Sequence, residues 1–144
     1  MNLFSFNEIA ISYTCKGLGP VISSSRDIFN LMLPNWNDVD YCESFYVILI
    51  NRGNKVLGVN KISMGSVSGT VADPKKIFQV ALKANSSAVI LCHNHPSGNT
   101  RPSMTDKKIT EKCKEAGKFL DLPVLDHIIV TRYGYFSFAD DGLL

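Results

Sequence analysis

The chain has 144 residues, of which 45% are hydrophobic and 19% are charged, a composition typical of one globular domain with its own core. The formal net charge of +2 and the scattered Lys and Arg residues argue against a strongly basic nucleic-acid-binding surface. No apolar run approaches the roughly 20 residues that a membrane-spanning helix requires, so we expect no membrane partner.

Four cysteines are widely separated along the chain, and no two of them form a C-x-x-C pair. This spacing argues against a zinc ribbon and against a thioredoxin-like centre. No secretory signal sequence is recognisable, so we expect a cytoplasmic protein with free thiols.

Residues 1–22 predict an N-terminal extension that contains one edge strand. Ile9, Ile11 and Tyr13 follow the two-residue period of a strand. The glycines and the proline within residues 17–20 should end this strand.

Residues 23–144 predict one domain in which strands and helices alternate. Hydrophobic periodicity, capping residues and turn residues predict three helices: one that begins after the serines at 23–25 and stops before Pro34, one over about 74–84, and one from Ser103 to about Ala116 that Gly117 stops. The same signals predict strands over 43–50, 55–63, 87–93, 125–131 and 135–138. Asn85 is expected to end the second helix in a left-handed conformation. The only tryptophan, Trp36, should pack against the core. Strands interrupted by helices predict an α/β fold around a mixed sheet.

A short motif after the strand 87–93 indicates a metal site. Side chains at positions i and i+2 of a strand share a face, so His93 and His95 should point into one space while Asn94 faces away. Ser103 is typical of a helix N-cap, and a short loop brings the first helical turn, with Asp106, beside the histidines. Two neutral imidazoles, one carboxylate and an open fourth position are typical of a catalytic zinc site.

Three further observations concern the residues in and around this motif. Cys92 adjoins His93 but should face the opposite side of the strand, so we interpret it as a core residue rather than a ligand. Capping and ligation should compete for Asp106, because a coordinated carboxylate is less available to close a capping box with Ser103. The letters His-Asn-His also occur in HNH nucleases, but the helix-borne metal histidine of those sites has no counterpart in this sequence.

Hydrolysis at such a site requires a second carboxylate, because the coordinated ligands cannot carry a proton from water to the leaving amine. The sequence offers four candidates, which are Asp40, Glu43, Asp73 and Glu111. Their pattern alone does not select the general base.

The spacing His93-x-His95, seven residues, Ser103-x-x-Asp106 resembles the motif of the JAMM/MPN+ metalloproteases. The segment His-Asn-His-Pro-Ser-Gly over residues 93–98 resembles the motif of the RadC branch of that superfamily, whose bacterial members are often labelled DNA repair proteins. Residues 69–74, 125–129 and 135–139 also look like this branch, and the similarity covers roughly residues 20–144. The resemblance implies an MPN/JAMM-like, cytidine-deaminase-like fold with three layers, in which helices flank a mixed β-sheet.

The resemblance also implies the roles of individual residues. His93, His95 and Asp106 would bind one Zn²⁺ per chain. Glu43 corresponds to the glutamate that acts as general base on an early strand of JAMM proteases, and Ser103 corresponds to the donor to the developing oxyanion. The implied activity is a zinc-dependent peptidase or isopeptidase that acts on a peptide or protein substrate.

Two other functions stay open as alternatives. The family label implies a DNA repair or replication accessory protein, but longer relatives carry a helix-hairpin-helix module before the metal domain, and residues 1–22 are too short for one. A non-catalytic MPN scaffold is the other alternative, although the full ligand set is present. The sequence names neither the substrate nor the oligomeric state.

Asp126 and His127 form the remaining polar pair in an apolar strand. Strand alternation places their side chains on opposite faces, so they are not expected to be mutual partners. We favour a hydrogen-bonded core histidine for His127, and the alternative is a residue that supports the metal site.

Overall fold

A computed structural model of the chain describes residues 16–65 and 72–144, together with residues 10, 12 and 14. The described α-helices and β-strands are α1 Ser25–Met32, β1 Ser44–Ile50, β2 Val56–Met64, α2 Pro74–Lys83, β3 Ala88–Asn94, α3 Met104–Phe119, β4 Val124–Thr131 and β5 Gly134–Ser137, and a short 3-10 helix, Leu33–Asn35, follows α1. The strand predicted from Ile9, Ile11 and Tyr13 falls on residues outside this description. None of the described helices has the length and the apolar character needed to cross a membrane.

The five strands form one sheet in the order β2-β1-β3-β4-β5. β1 pairs in antiparallel fashion with both β2 and β3, and β5 forms an antiparallel hairpin with β4. β3 and β4 are parallel, and α3 forms the crossover between them. The predicted mixed sheet is therefore confirmed.

Helices cover both faces of this sheet, which gives the predicted three layers. α2 and α3 enclose a core with one face of β1 and β3, built on Phe45, Val47, Leu49, Val89 and Leu91. α1 and Trp36 enclose a second core with the other face, built on Ile48, Ile90, Cys92, Ile128 and Val130. Every residue of β3 is buried, as expected for a central strand that is covered on both sides.

Two helix ends test the sequence interpretation. The prediction that Gly117 stops α3 is wrong, because the helix continues to Phe119, its C-cap is Leu120, and the left-handed residue that follows is Asp121, with a φ of 55°. Gly117 instead permits a close approach, since a Cβ there would lie 2.3 Å from the carbonyl oxygen of Leu122. The prediction for Asn85 is confirmed, since its φ of 53° follows the end of α2.

Strand direction brings the motif residues to one edge of the sheet. β3 ends at Asn94 and its parallel neighbour β4 ends at Thr131, while the antiparallel β1 begins at Ser44 on the same edge. Phe45 is directly paired with His93. The start of β1 and the end of β3 therefore meet where α3 begins after the loop.

Candidate metal centre

The two histidines of the motif converge at the end of β3. Their Nε2 atoms lie 3.1 Å apart. The His93 ring is almost fully buried, with 1% exposed, and stacks on Phe45 at a centroid distance of 5.7 Å and an interplanar angle of 8°. His95 lies at the more open side of the site.

Asp106, in the first turn of α3, closes a triangle with the two histidines. Its Oδ1 lies 3.2 Å from Nε2 of His93, and its Oδ2 lies 3.3 Å from Nε2 of His95. A tetrahedral cation with ligands at about 2.0–2.1 Å has ligand–ligand separations of about 3.3–3.4 Å. The 3.1 Å between the two Nε2 atoms is near that value, and each oxygen of the Asp106 carboxylate lies at a similar distance, 3.2 or 3.3 Å, from one of the two nitrogens.

The donor set also fits a cation chemically. Nδ1 of His95 lies 2.7 Å from the carbonyl oxygen of Asn99, which can only accept, so Nδ1 carries the proton of the neutral ring and Nε2 then presents a lone pair. That lone pair faces the Asp106 carboxylate, which is also an acceptor. Two acceptors at this distance repel each other unless a positive charge lies between them.

The electrostatics of the cluster show the same attraction for positive charge. Burial alone would raise the pKa of Asp106, but His93 and His95, when their rings are protonated, hydrogen-bond to its carboxylate, outweigh burial and hold that pKa well below its usual value. Burial alone would lower the pKa of His95, but its hydrogen bond with Asp106 and that with the carbonyl of Asn99 raise it. The site therefore favours an ionised carboxylate beside positive charge.

Glu43 reaches the cluster from the segment just before β1. Its Oε1 lies 3.8 Å from Nε2 of His93, and its side chain is 20% exposed. The ligand-type atoms of Glu43, His93, His95 and Asp106 all lie within 4.8 Å of one another. Glu43 thus approaches the same point as the other three groups but from a greater distance.

The other three general-base candidates lie elsewhere. Asp40 forms an ion pair with Arg132, and Asp73 caps α2 by accepting a hydrogen bond from the backbone N–H of Lys75. Glu111 is exposed on α3. Among the described residues, Glu43 is the only one of the four candidates in the metal-type cluster.

Asn94 fixes the segment that carries Glu43. Its side chain is fully buried on the face opposite the histidines, as the alternation predicted. Its Oδ1 accepts from the backbone N–H of Ser44 at 2.7 Å, and its Nδ2 donates to the carbonyls of Val39 and Cys42 at 2.7 and 2.8 Å. The residue between the two histidines therefore holds the backbone on both sides of Glu43.

Ser103 and Asp106 form the capping box that the sequence suggested. Ser103 Oγ accepts from the backbone N–H of Asp106 at 3.0 Å, and Asp106 Oδ2 accepts from the backbone N–H of Ser103 at 2.7 Å. Oδ1 of Asp106 faces His93, while Oδ2 serves the cap and also faces His95. The cap orients the carboxylate into the cluster.

His127 is a fully buried, hydrogen-bonded histidine, as favoured from the sequence. The unexpected result is its partner, since His127 Nε2 lies 2.8 Å from Nδ1 of His93. Burial and the neighbouring His93 lower the pKa of His127 well below its usual value, so the ring is neutral. The Asp126 carboxylate accepts from the Ser137 hydroxyl and from the backbone N–H groups of Ala139 and His127, and not from the His127 ring, so the two side chains diverge as predicted.

Sequence reasoning missed Thr110 and the function of Asn94. Thr110 follows Asp106 by one helical turn, so the two share a face of α3, and this spacing was the available signal. Asn94 could have been noticed as an amide in an otherwise apolar central strand, because a buried amide requires partners. Their partners lie far away in sequence and depend on the folded structure.

A cavity of about 260 Å³ opens beside the cluster. Glu43, His93 and Asp106 line one side of it, and Phe45 and Ile109 contribute apolar wall. The candidate metal centre is therefore accessible from a partly apolar recess.

Comparisons with known proteins show similarity over most of the chain. The RadC-like JAB domain family matches residues 22–143. UPF0758 proteins are similar: that of Flavobacterium johnsoniae is 43% identical over 122 residues, which are 85% of this chain and 53% of that protein. That of Rubrobacter xylanophilus is 40% identical over 125 residues, or 87% of this chain and 54% of that protein.

A third relative, UPF0758 protein STH371 of Symbiobacterium thermophilum, is 37% identical over 123 residues, which are 85% of this chain and 52% of that protein. The chain thus spans about half the length of the curated relatives it matches. The family match covers the whole sheet, the flanking helices and all four residues of the cluster. This chain belongs to the RadC-like JAB domain family.

Proposed function

We propose that this domain is a zinc-dependent hydrolase that cleaves peptide or isopeptide bonds. The observation that carries the proposal is the triangle of His93, His95 and Asp106, in which the two Nε2 atoms are 3.1 Å apart and each carboxylate oxygen lies 3.2 or 3.3 Å from one of them. A fourth group, Glu43, lies just outside this triangle. Three ligands and an adjacent carboxylate are the groups that metal-assisted amide hydrolysis requires.

In this proposal, His93, His95 and Asp106 hold the metal ion through Nε2, Nε2 and a carboxylate oxygen. A Zn²⁺ ion bound there supplies Lewis-acid chemistry, since it lowers the pKa of a water molecule from 15.7 to about 7 and polarises a carbonyl group. The protein contributes a buried, preorganised donor set, with the His93 ring fixed between Phe45 and His127.

Glu43 acts as the general base and then as the general acid. Its separation of 3.8 Å from Nε2 of His93 exceeds the 3.1–3.3 Å between the three ligands, so it fits a position beyond the inner donor set. A carboxylate there can accept a proton from the attacking water and return it to the leaving amine. Partial exposure gives its carboxylate access to both positions.

Ser103 supplies the proposed oxyanion donor. Its hydroxyl oxygen accepts the hydrogen bond from the backbone N–H of Asp106, which leaves the hydroxyl proton available for an acceptor in the site. Ser103 is exposed, so a substrate carbonyl has access to it. A donor of this kind contributes about 10²–10³ in rate.

The recess beside the cluster supports a peptide or protein as substrate. Phe45 and Ile109 offer an apolar surface to a side chain next to the bond that is cleaved. Because the relatives are about twice as long, this substrate class is proposed for the domain alone.

The experiment is a cleavage assay on zinc-loaded protein with a mixture of unstructured peptides, read by mass spectrometry. We expect cleavage that a chelator abolishes and that added Zn²⁺ restores, and we expect none from His93→Ala at equal concentration. Protein that binds zinc but leaves all peptides and isopeptide-linked conjugates intact would replace the hydrolase with a metal-binding scaffold. Cleavage that is equally fast in His93→Ala would point to a contaminating protease.

A further inference from the structure

A continuous line of buried hydrogen bonds runs behind the candidate metal centre. Nδ1 of His93 lies 2.8 Å from Nε2 of His127, and Nδ1 of His127 lies 2.5 Å from Oγ1 of Thr110. Oγ1 of Thr110 lies 2.6 Å from the backbone carbonyl oxygen of Asp106. The line thus connects two of the four cluster residues through two residues outside the cluster, one on β4 and one on α3.

The chemistry of the groups determines the direction of every hydrogen bond in this line. The carbonyl oxygen of Asp106 can only accept, so the single hydroxyl proton of Thr110 is donated to it. The Thr110 oxygen is then left with a lone pair toward His127. Nδ1 of His127 must therefore carry a proton and donate it.

The same reasoning continues through the two imidazoles. His127 has 0% exposure, and among the described residues its ring nitrogens hydrogen-bond only to a hydroxyl and another imidazole, so no carboxylate accepts a hydrogen bond from a second ring proton. With its proton on Nδ1, Nε2 of His127 accepts from Nδ1 of His93. His93 then carries its proton on the side away from the cluster and presents a bare Nε2 to His95 and Asp106.

We infer that Thr110 and His127 are positioning residues that select the metal-binding tautomer of His93. The inference rests on the proposed metal site and deepens it. His95 achieves the same result directly, because its Nδ1 donates to the carbonyl of Asn99. For His93 the acceptor is another ring, so Thr110 has to fix the proton of that ring.

Packing reinforces this selection. The His127 ring stacks on Phe138 at a centroid distance of 4.8 Å and an interplanar angle of 13°. The His93 ring stacks on Phe45. Both rings are therefore held in their planes by aromatic neighbours. A proton shift on His127 would leave Thr110 without its donor and would place an N–H against His93.

The test compares Thr110→Val with Thr110→Ser by measuring zinc affinity in competition with a chelator. Valine keeps the shape but removes the hydroxyl, whereas serine keeps the hydroxyl. Outer partners of this kind contribute roughly 10–100-fold in metal affinity, so Thr110→Val should bind zinc about 10–100-fold more weakly and Thr110→Ser near the wild-type value. Thr131→Val is the matched control, since it also removes a buried threonine hydroxyl bonded to a carbonyl, that of Gly134.

A second set of variants separates positioning from stability. His127→Phe keeps an aromatic ring but loses both hydrogen bonds, and we expect it to match Thr110→Val in zinc affinity. His127→Gln places an amide oxygen within reach of Nδ1 of His93, so it should recover part of the affinity. The melting temperature of each zinc-free variant records the loss of packing separately.

The wild-type protein gives the most direct readout. Imidazole nitrogen chemical shifts measured by NMR on the zinc-free protein, at a pH where the His93 ring is neutral, should show the His93 proton on Nδ1, and Thr110→Val should move population to Nε2–H. The inference is overturned if wild-type His93 carries its proton on Nε2, or if Thr110→Val binds zinc as tightly as Thr110→Ser. Wild-type protein that binds no zinc at all would instead remove the proposed function.

Discussion

The candidate site has two parts that are held in different ways. Each of the three ligand-type side chains is fixed from behind: His93 by His127, His95 by the carbonyl of Asn99, and Asp106 by the backbone N–H of Ser103. Among the described residues, the Glu43 carboxylate has no hydrogen bond, and its closest charged or imidazole partner is His93 at 3.8 Å. Only the backbone beside Glu43 is anchored, through Asn94.

This difference matches the chemistry proposed for the two parts. Ligands bind a metal ion most tightly when their geometry is fixed beforehand, because little order is then lost on binding. A proton carrier must reach the attacking water and afterwards the leaving amine, so its carboxylate needs freedom to move. In the proposed mechanism, metal binding and proton transfer are therefore assigned to groups that are held in different ways.

Removal of one of the three ligand-type side chains should abolish metal binding and give the largest effect. We expect Asp106→Ala to lose zinc and all activity, and to lose about 1 kcal/mol of helix-capping free energy as well. Asp27→Ala is the matched control, since Asp27 closes the same kind of capping box with Ser24 on α1. Zinc content and the free energy of unfolding, measured on both variants, separate the two effects; comparable zinc content in both would exclude Asp106 as a ligand.

Glu43→Gln should remove the proposed proton carrier and leave the three ligand-type side chains intact. The amide keeps the size of the side chain but cannot accept a proton, so kcat should fall by about 10²–10⁴ while the zinc content stays the same. Asp40→Asn is the control, because it removes a nearby carboxylate that pairs with Arg132. Retained hydrolysis in Glu43→Gln would remove Glu43 from the mechanism, and lost zinc would make it a ligand.

Asn94→Asp should loosen the backbone that carries Glu43 without changing the three ligand-type side chains. An aspartate still accepts from the N–H of Ser44 but presents oxygen to the carbonyls of Val39 and Cys42, which repel it. A displacement of about 1 Å at a catalytic group can cost roughly 10²-fold in rate. We therefore expect a lower kcat with unchanged zinc affinity.

The control for this change is Asn51→Asp, since the described contacts of that side chain are hydrogen bonds that its Oδ1 accepts from Gly53 and Lys55. Its activity should match wild type. A parallel loss of zinc affinity and activity in Asn94→Asp would show that Asn94 acts on the histidines rather than on Glu43.

Asp126→Asn should have the smallest effect, and that effect should depend on pH. Burial raises the pKa of Asp126 despite hydrogen bonds from Ser137, Ala139 and His127 that oppose the shift. A carboxyl group with a raised folded pKa contributes stability below its unfolded pKa of about 3.9 and loses that contribution as the pH rises through the folded pKa. Asparagine does not titrate.

The advantage of wild type over Asp126→Asn in free energy of unfolding should therefore be greatest below about pH 4 and should decrease at higher pH. Denaturant unfolding of both proteins at several pH values measures it. A difference that increases with pH would mean that the hydrogen bonds, and not burial, dominate the pKa of Asp126.

The sequence predicted the local parts of the site well. The convergence of His93 and His95 follows from the two-residue period of a strand, and the position of Asp106 follows from an N-cap three residues earlier. These features depend on neighbours within one element or one loop. The order of strands and helices was predicted for the same reason.

The hydrogen bonds that hold the candidate ligands from behind were not predictable from the sequence, because they join elements that are distant along the chain. His127 meets His93 only because β4 pairs in parallel with β3 in one particular register. Thr110 reaches His127 only because α3 packs over that pair. The position of Gly117 shows the same limit, since its role is a close approach to Leu122 that no local pattern records.

The most direct test of the account is the metal content of the purified wild-type chain after loading with Zn²⁺ and removal of excess. Elemental analysis should find one zinc per chain that survives desalting, and His93→Ala prepared in parallel should contain none. Wild-type protein that retains no divalent ion, or His93→Ala that retains as much as wild type, would contradict the claim that these side chains enclose a metal ion.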